Sequence, residues 1–186
     1  MTSDLQYIAS DKTKAEIRKY IVAEKKRIGN EELVHRSSGV VELLENHPLF
    51  VSAHTVLLYY SLPGEVFTHQ FLARHAQDKV ILLPVVEGEN LLLRRYSPEK
   101  MQKGAFGIME PIGDNFTDFS SIDLAVIPGV AFDSQGHRLG RGRGFYDRLL
   151  PLLNCTKIGL CFPFQLLDSV PSEPHDIPMD EVLFGS

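Results

Sequence analysis

Short apolar runs rich in β-branched and aromatic residues recur along this chain, and helix-period or glycine-rich segments separate them. Residues 54–60, 80–85, 91–93, 123–127 and 157–162 read as strands, because such side chains suit a buried pleat. A last short run falls at 182–184. Residues 11–28 carry Ile17, Tyr20, Ile21 and Ile28 at helical spacing, with Asp11 or Thr13 as the N-cap and Gly29-Asn30 as the stop. Residues 31–46 repeat the pattern with Leu33, Val34, Val40, Val41 and Leu44, and His47-Pro48 ends it. Residues 68–76 and 145–153 read as two more helices. Residues 97–121, rich in Gly, Pro, Asp and Ser, read as one long irregular stretch. Strands that alternate with helices predict an α/β fold, a mainly parallel, doubly wound sheet flanked by helices. In such sheets ligands sit beyond the carboxyl ends of the strands, so the loops after Tyr60, Ile127 and Phe162 are the places to look.

With 186 residues the chain fits a single domain spanning 1–186, with residues 1–10 loosely ordered. A chain of this size buries roughly 70% of its unfolded surface and needs no disulfide or metal to fold. Its hydrophobic content of 44% excludes low-complexity disorder for most of its length. A formal net charge of −5 argues against a general nucleic-acid binder, whose affinity rests on phosphate contacts. Two cysteines, Cys155 and Cys161, make neither a disulfide framework nor a zinc cluster and read as apolar core thiols. The first residues lack a basic segment followed by an apolar one, and no apolar run approaches the ~20 residues of a membrane helix. The expectation is a cytoplasmic protein, without membrane or nucleic-acid partners, as a monomer or weak homodimer.

One segment stands apart. Pro128-Gly129-Val130-Ala131-Phe132-Asp133 leads into Arg138-Leu139-Gly140-Arg141-Gly142-Arg143-Gly144-Phe145-Tyr146-Asp147-Arg148. Glycine lets backbone approach a ligand closely, N–H groups at a helix start attract anions, and Arg adds fixed charge with bidentate donors. From Asp133 to Arg148 four Arg outweigh two Asp inside an acidic chain. Those features describe a phosphate cradle, although a solvated turn with scattered Arg has the same composition. The segment lacks the Gly-Lys-Ser/Thr of a Walker loop, and its G-x-G-x-G spacing is not a dinucleotide fingerprint.

Other positions carry weaker signals. Asp147, one turn into the helix, suits Mg²⁺ beside phosphate, or simply complements the helix dipole. Asp176, within Glu173-Pro174-His175-Asp176, is a second carboxylate on a stiff loop, or an ordinary surface turn. Glu65, reached from Tyr60 through Ser61-Leu62-Pro63-Gly64, could accept hydrogen bonds from ligand ring nitrogens. Lys14 and Arg18 share one helix face, where an anion would relieve their repulsion. Phe106, between Gly104 and Gly107, could wall a flat apolar ligand or pack in the core. No histidine pair has metal-ligand spacing, and no Ser or Cys sits in a nucleophile elbow.

Taken in order, these segments resemble the 5-formyltetrahydrofolate cyclo-ligase (5,10-methenyltetrahydrofolate synthetase) family. The resemblance runs from Lys14-x-x-x-Arg18 through Ser61-Leu62-Pro63-Gly64-Glu65, Phe106-Gly107-Ile108-x-Glu110-Pro111 and the glycine–arginine segment to Glu173-Pro174-His175-Asp176 and Asp180-Glu181-Val182. Two positions depart from the family's usual pattern: Arg143 stands for Lys and Phe145 for Tyr. The resemblance implies ATP- and Mg²⁺-dependent closure of 5-formyltetrahydrofolate to the 5,10-methenyl product, by phosphorylation of the formyl oxygen and attack by N10. It implies nucleotide contacts from Lys14, Arg18, Gly140, Arg141, Gly142, Arg143, Gly144, Phe145, Tyr146, Asp147 and Arg148. The folate contacts would be Tyr60, Glu65, Phe106, Arg143 and Tyr146, and the metal ligands Asp147 and Asp176. Arg143, Arg141 and Asp147 would carry catalysis. Two rivals share these features: a sugar-phosphate or acyl-CoA enzyme of related fold, and a nucleotide- or folate-binding protein without turnover.

Overall fold

The computed structural model describes residues 12–104, 107–174 and 176–185. Two helices open the chain, α1 (Lys14–Ile28) and α2 (Asn30–Glu45). Thr13 is the N-cap of α1: its hydroxyl accepts the Glu16 N–H at 3.3 Å, and the Glu16 carboxylate accepts the Thr13 N–H at 2.8 Å. A short helix, α3 (Pro48–Ser52), begins where His47-Pro48 promised only an ending. Pro48 occupies its first turn, where a missing N–H is harmless, and the His47 ring nitrogen accepts the Leu49 N–H.

Then come β1 (Thr55–Leu57), α4 (His69–His75), β2 (Val80–Glu87) and β3 (Asn90–Arg95). β4 (Met101–Lys103) and β5 (Met109–Pro111) form a hairpin, and β6 (Asn115–Phe116) follows. The 97–121 stretch is therefore not one irregular loop, although its two- and three-residue strands are too short to show an alternating pattern. β7 (Leu124–Pro128) precedes β8 (Ala131–Asp133), β9 (Arg138–Leu139) and α5 (Phe145–Leu149). α5 stops well short of the expected residue 153, because Pro151 ends regular helix and a 3₁₀ turn, Leu150–Leu152, takes over. β10 (Thr156–Cys161), β11 (Leu166–Leu167) and β12 (Glu181–Phe184) complete the chain.

Seven strands form the central sheet in the order β12-β10-β7-β1-β2-β3-β6. Neighbours from β12 to β2 are parallel, and β3 and β6 extend one edge in antiparallel fashion. The α/β expectation therefore holds. Successive strand residues face opposite layers. Val56, Leu58, Ile81, Leu83, Leu124, Val126 and Ile158 pack with Ile17, Ile21, Leu44, Phe50 and Phe71 of α1 to α4. Leu57, Leu82, Ala125, Ile127 and Cys161 pack on the other face with Phe132, Leu149 of α5 and Leu150 of the 3₁₀ turn. Burial pushes the Cys161 thiol up to about 12, so it behaves as an apolar filler.

β1 is shorter than the run 54–60 that predicts it. Beyond Leu58, which still donates to Leu82 O, side chains replace the ladder. Thr68 Oγ1 donates to Tyr59 O at 2.7 Å and accepts the Ser61 N–H at 3.1 Å, while Ser61 Oγ accepts the Thr68 N–H at 3.1 Å. The chain is thereby turned out of the sheet at its carboxyl edge, with Tyr60 and Glu65 on the departing loop. Among the described residues no helix is long and apolar enough to cross a membrane.

Candidate active site

Beyond the carboxyl ends of β1 and β7 lies a cavity of about 320 Å³. Its apolar wall is built from Tyr59, Tyr60, Pro84, Val86, Leu91 and Ile108; its polar wall is Gly140–Asp147 with Arg138, Glu65 and Glu110. That division suits a ligand with a flat apolar body and an anionic end.

The glycine–arginine segment forms the polar wall because of its backbone. Gly142 and Gly144 have φ of 93° and 69°, a region that L side chains rarely adopt. Gly144 caps α5 in the left-handed conformation, which turns the chain straight from the loop into the helix. α5 is only five residues long, so the positive character of the site comes chiefly from its guanidinium groups.

Those cations hold one another in place through backbone carbonyls and carboxylates. Arg141 donates to Glu65 Oε1 at 2.8 Å, joining the loop after β1 to the loop before α5. Glu65 Oε2 accepts the Leu62 N–H at 2.9 Å, so that carboxylate is fixed at both oxygens. Arg18 Nε donates to Gly140 O at 2.9 Å, and its guanidinium lies against Gly142. Arg138, almost entirely buried, donates to Asp147 Oδ1 at 2.8 Å and to Pro128 O at 3.3 Å. Its guanidinium sits 5.3 Å from the Tyr146 ring centre. Burial raises the Tyr146 hydroxyl well above its ordinary range, the Glu65 charge adds to that, and Arg138 opposes it. The phenol stays protonated and can only donate or accept a hydrogen bond.

The sequence-predicted residues divide into two sets. Tyr60, Glu65, Gly140, Arg141, Gly142, Arg143, Gly144, Phe145, Tyr146 and Asp147 all line the cavity. Lys14, Arg18, Arg148 and Asp176 do not. Arg18 supports the loop from behind. Lys14 reaches Glu173 at 3.0 Å and Asp176 at 3.6 Å, and the Glu173 hydrogen bond holds its ammonium above the usual range. Arg148 donates to Glu89 O and Arg143 O, tying the loop to the β2–β3 turn. The two expected metal ligands have different partners, Arg138 for Asp147 and Lys14 for Asp176. Phe106 and residues 1–10 lie outside the described residues.

Two cavity groups and one neighbouring lysine escape a sequence-only reading. Arg138 sits in the conspicuous segment, but nothing in the pattern separates the buried Arg from its exposed neighbours. Glu110, only 4% exposed, accepts the Val86 N–H at 3.1 Å and presses on Gly104, where a Cβ would lie 1.9 Å from Oε2. Its one signal is the step into Pro111 at the end of a glycine-bearing loop. Lys25, half-buried, lays its stem along Gly64, and Glu65 and Arg141 both act on its charge.

Comparison with known proteins gives a consistent picture. Residues 10–185 match the 5-formyltetrahydrofolate cyclo-ligase family. A 5-formyltetrahydrofolate cyclo-ligase of Haemophilus influenzae is 35% identical over 143 residues, 72% of this chain and 76% of the relative. That of Escherichia coli K12 is 35% identical over 150 residues, 75% and 82% of the two chains. The solution structure of Aquifex aeolicus 5,10-methenyltetrahydrofolate synthetase superposes with a TM-score of 0.83 at 36% identity, over 92% of this chain and 89% of that one.

Proposed function

The chain belongs to the 5-formyltetrahydrofolate cyclo-ligase family, and we propose that its cavity holds ATP and 5-formyltetrahydrofolate side by side, with Arg141 and Arg143 at the junction. The reaction is ATP-dependent conversion of 5-formyltetrahydrofolate to 5,10-methenyltetrahydrofolate. The observation that carries the arrangement is the Arg141–Glu65 ion pair, 2.8 Å long, which joins the loop after β1 to the glycine–arginine loop at one point of the cavity.

The nucleotide phosphates belong on the polar wall. Arg141, Arg143 and the backbone N–H groups of Gly140 to Phe145 supply donors there, with Lys14 and Arg18 on the adjoining face of α1. The folate ring system belongs against Tyr60, Tyr146 and Glu65, with Ile108 and Glu110 on the far wall. Arg141, Arg143 and Asp147 act on the reacting end. As the γ-phosphoryl passes to the formyl oxygen, Arg143 and Arg141 receive the charge that spreads over its oxygens. The formyl oxygen becomes part of a leaving group, N10 attacks the activated carbon and gives up its proton to solvent, and ring closure breaks the C–O bond and expels phosphate. The chemistry calls for alignment and charge neutralisation rather than a protein nucleophile. The cavity is consistent with that: it offers Arg, carboxylates and the buried Tyr59 and Tyr146, whose hydroxyls burial holds protonated, and among the described lining residues there is no Cys, Ser or Thr.

Asp147 and Asp176 would hold Mg²⁺, which when bound neutralises phosphate charge. The donor set fits a hard cation that takes one or two carboxylates and fills the rest of its shell with phosphate oxygens and water. Asp147 has 44% of its side chain exposed at the cavity wall, and Asp176 lies beside Lys14 on the α1 side. Arg143 and Phe145, where the family usually has Lys and Tyr, keep the charge and the ring but change the donor geometry.

The test is direct. Protein mixed with 5-formyltetrahydrofolate, ATP and Mg²⁺ should develop the near-ultraviolet absorbance of the methenyl product, with phosphate released in step. Nucleotide binding without that absorbance would overturn the reading and favour a binding protein. A protein soaked with nucleotide whose phosphates lie away from Gly140–Asp147 would overturn the placement.

A further inference from the structure

The loop that carries Tyr60 and Glu65 is held by a residue outside the cavity. His69, the first residue of α4, lays its ring on the Tyr60 ring with centroids 3.7 Å apart and planes 23° from parallel. Its Nε2 is 2.9 Å from Ser61 O, so the N–H there donates to the carbonyl of the next residue along. The Phe67 ring covers it at 4.5 Å. Burial lowers the His69 pKa, with the Ser61 hydrogen bond opposing, so the ring is neutral at physiological pH. His69 thus grips both the side chain of Tyr60 and the backbone that follows it.

We propose that His69 is a positioning residue for the folate substrate: it fixes the Tyr60 ring as a rigid wall of the cavity. Tyr60 stands where the chain has just left the sheet, half-buried with part of its ring against the core and part open to the cavity. Without a partner on one face its ring can turn about χ1 and χ2 into the space the substrate needs. The stack removes that freedom before binding, and the Ser61 hydrogen bond fixes the stacking partner itself. This inference rests on the folate reading of the cavity. It goes beyond it by assigning a function to a residue that the cavity does not include.

Removing the ring should weaken folate binding and leave nucleotide binding and chemistry alone. His69→Ala is expected to raise the KM for 5-formyltetrahydrofolate about 3- to 10-fold, the size of a lost aromatic contact, with kcat and ATP KM within about 2-fold. His69→Phe keeps the stack and loses the donor; it should hold folate KM within about 2-fold of wild type. His69→Gln keeps a donor and loses the stack, and should resemble His69→Ala. In a Tyr60→Ala background His69→Ala should have almost no further effect on folate KM, because the two act as one unit.

The proposal falls if His69→Ala leaves folate KM unchanged, if ATP KM rises by the same factor, or if the effect is undiminished in the Tyr60→Ala background. Should His69→Ala fail to fold, the Phe and Gln variants decide: a folate KM preserved by Gln and lost with Phe overturns it. Wild-type protein without turnover removes the folate reading and this proposal together. Wild-type turnover with an unaffected His69→Ala overturns this proposal alone.

Discussion

At the base of the glycine–arginine segment, Phe132 is fully buried, and two glycines make room for it. A Cβ on Gly129 would lie 2.5 Å from Phe132 Cζ, and one on Gly159 2.5 Å from Cε1. Beside it the Asp133 carboxylate accepts N–H groups from Gln135, His137 and Val170 as well as the His137 ring. Gln165 donates to Gly129 O and Val130 O. Nine residues on, at the tip, Arg141 has 55% of its side chain exposed and is held by a single carboxylate. The base is specified by volume and saturated hydrogen bonding; the tip is specified by charge and by backbone conformation. One continuous segment therefore separates the work of staying folded from the work of gripping a ligand, and substitutions should separate the same way.

The largest effect is expected at the base. Phe132→Ala should cost about 3–5 kcal/mol through lost burial and the cavity it leaves. For a chain of this length that lowers Tm by roughly 10 °C or more, read by thermal denaturation. Gly159→Ala should cost about 1–3 kcal/mol by overpacking the same ring. Combining Gly159→Ala with Phe132→Leu should cost less than the sum, because the smaller side chain yields the space. Additive costs would mean that the base is not a tight fit, and the contrast with the tip would be lost.

The tip should behave in the opposite way. Arg143→Ala is expected to lower activity about 100-fold, as removal of a charge-stabilising donor does, while Tm moves by no more than ~2 °C. A fall in Tm comparable to that of Gly159→Ala would place Arg143 in the structural class. Glu65→Gln tests the join between the two substrates. It should raise folate KM about 10-fold, the cost of a lost charged hydrogen bond, and ATP KM by less. The reverse order would show that Glu65 serves mainly to hold Arg141 for phosphate, since that pair ties the loop after β1 to the glycine–arginine loop.

The two regions were unequally legible in the sequence. Gly142 and Gly144 stand out as a candidate cradle, since glycines alternate with arginines there just before a helix, although a solvated turn would read the same. Ile17 and Ile21 likewise declare α1 and its buried face, with Thr13 as one of its two candidate caps. The base is hidden: Gly129 and Gly159 are thirty residues apart, and only the pairing of β7 with β10 brings both to Phe132. Arg138 and Arg141 look alike in the chain, yet one is buried on Asp147 and the other exposed on Glu65. Arg148 reads as part of the cradle but faces the β2–β3 turn, because helical geometry at that point directs it away from the cavity. The β4–β5 hairpin and the early exit of β1 depend on pairings and side-chain hydrogen bonds between residues too far apart for any periodicity to record.

Lys25 sits between the two regimes, a cation of the tip's kind that is half-buried. Burial pulls its ammonium from the ordinary 10.5 down to about 8; Glu65 resists that and Arg141 adds to it. The unfolded chain therefore keeps a proton between pH 8 and 10.5 that the folded chain has released. Stability from this group rises as pH climbs through that window, and its destabilising share is fully present below pH 8. Lys25→Met should accordingly raise Tm by about 2–4 °C at pH 7. The gap between variant and wild type should narrow at pH 9 and close by about pH 10.5, since subtracting the two curves cancels every other titration. A variant less stable than wild type at pH 7, with the gap shrinking as pH rises, would show instead that Glu65 holds Lys25 as a net-stabilising ion. In that case Glu65 answers to two cations, and its grip on Arg141 is weaker than a single 2.8 Å contact suggests.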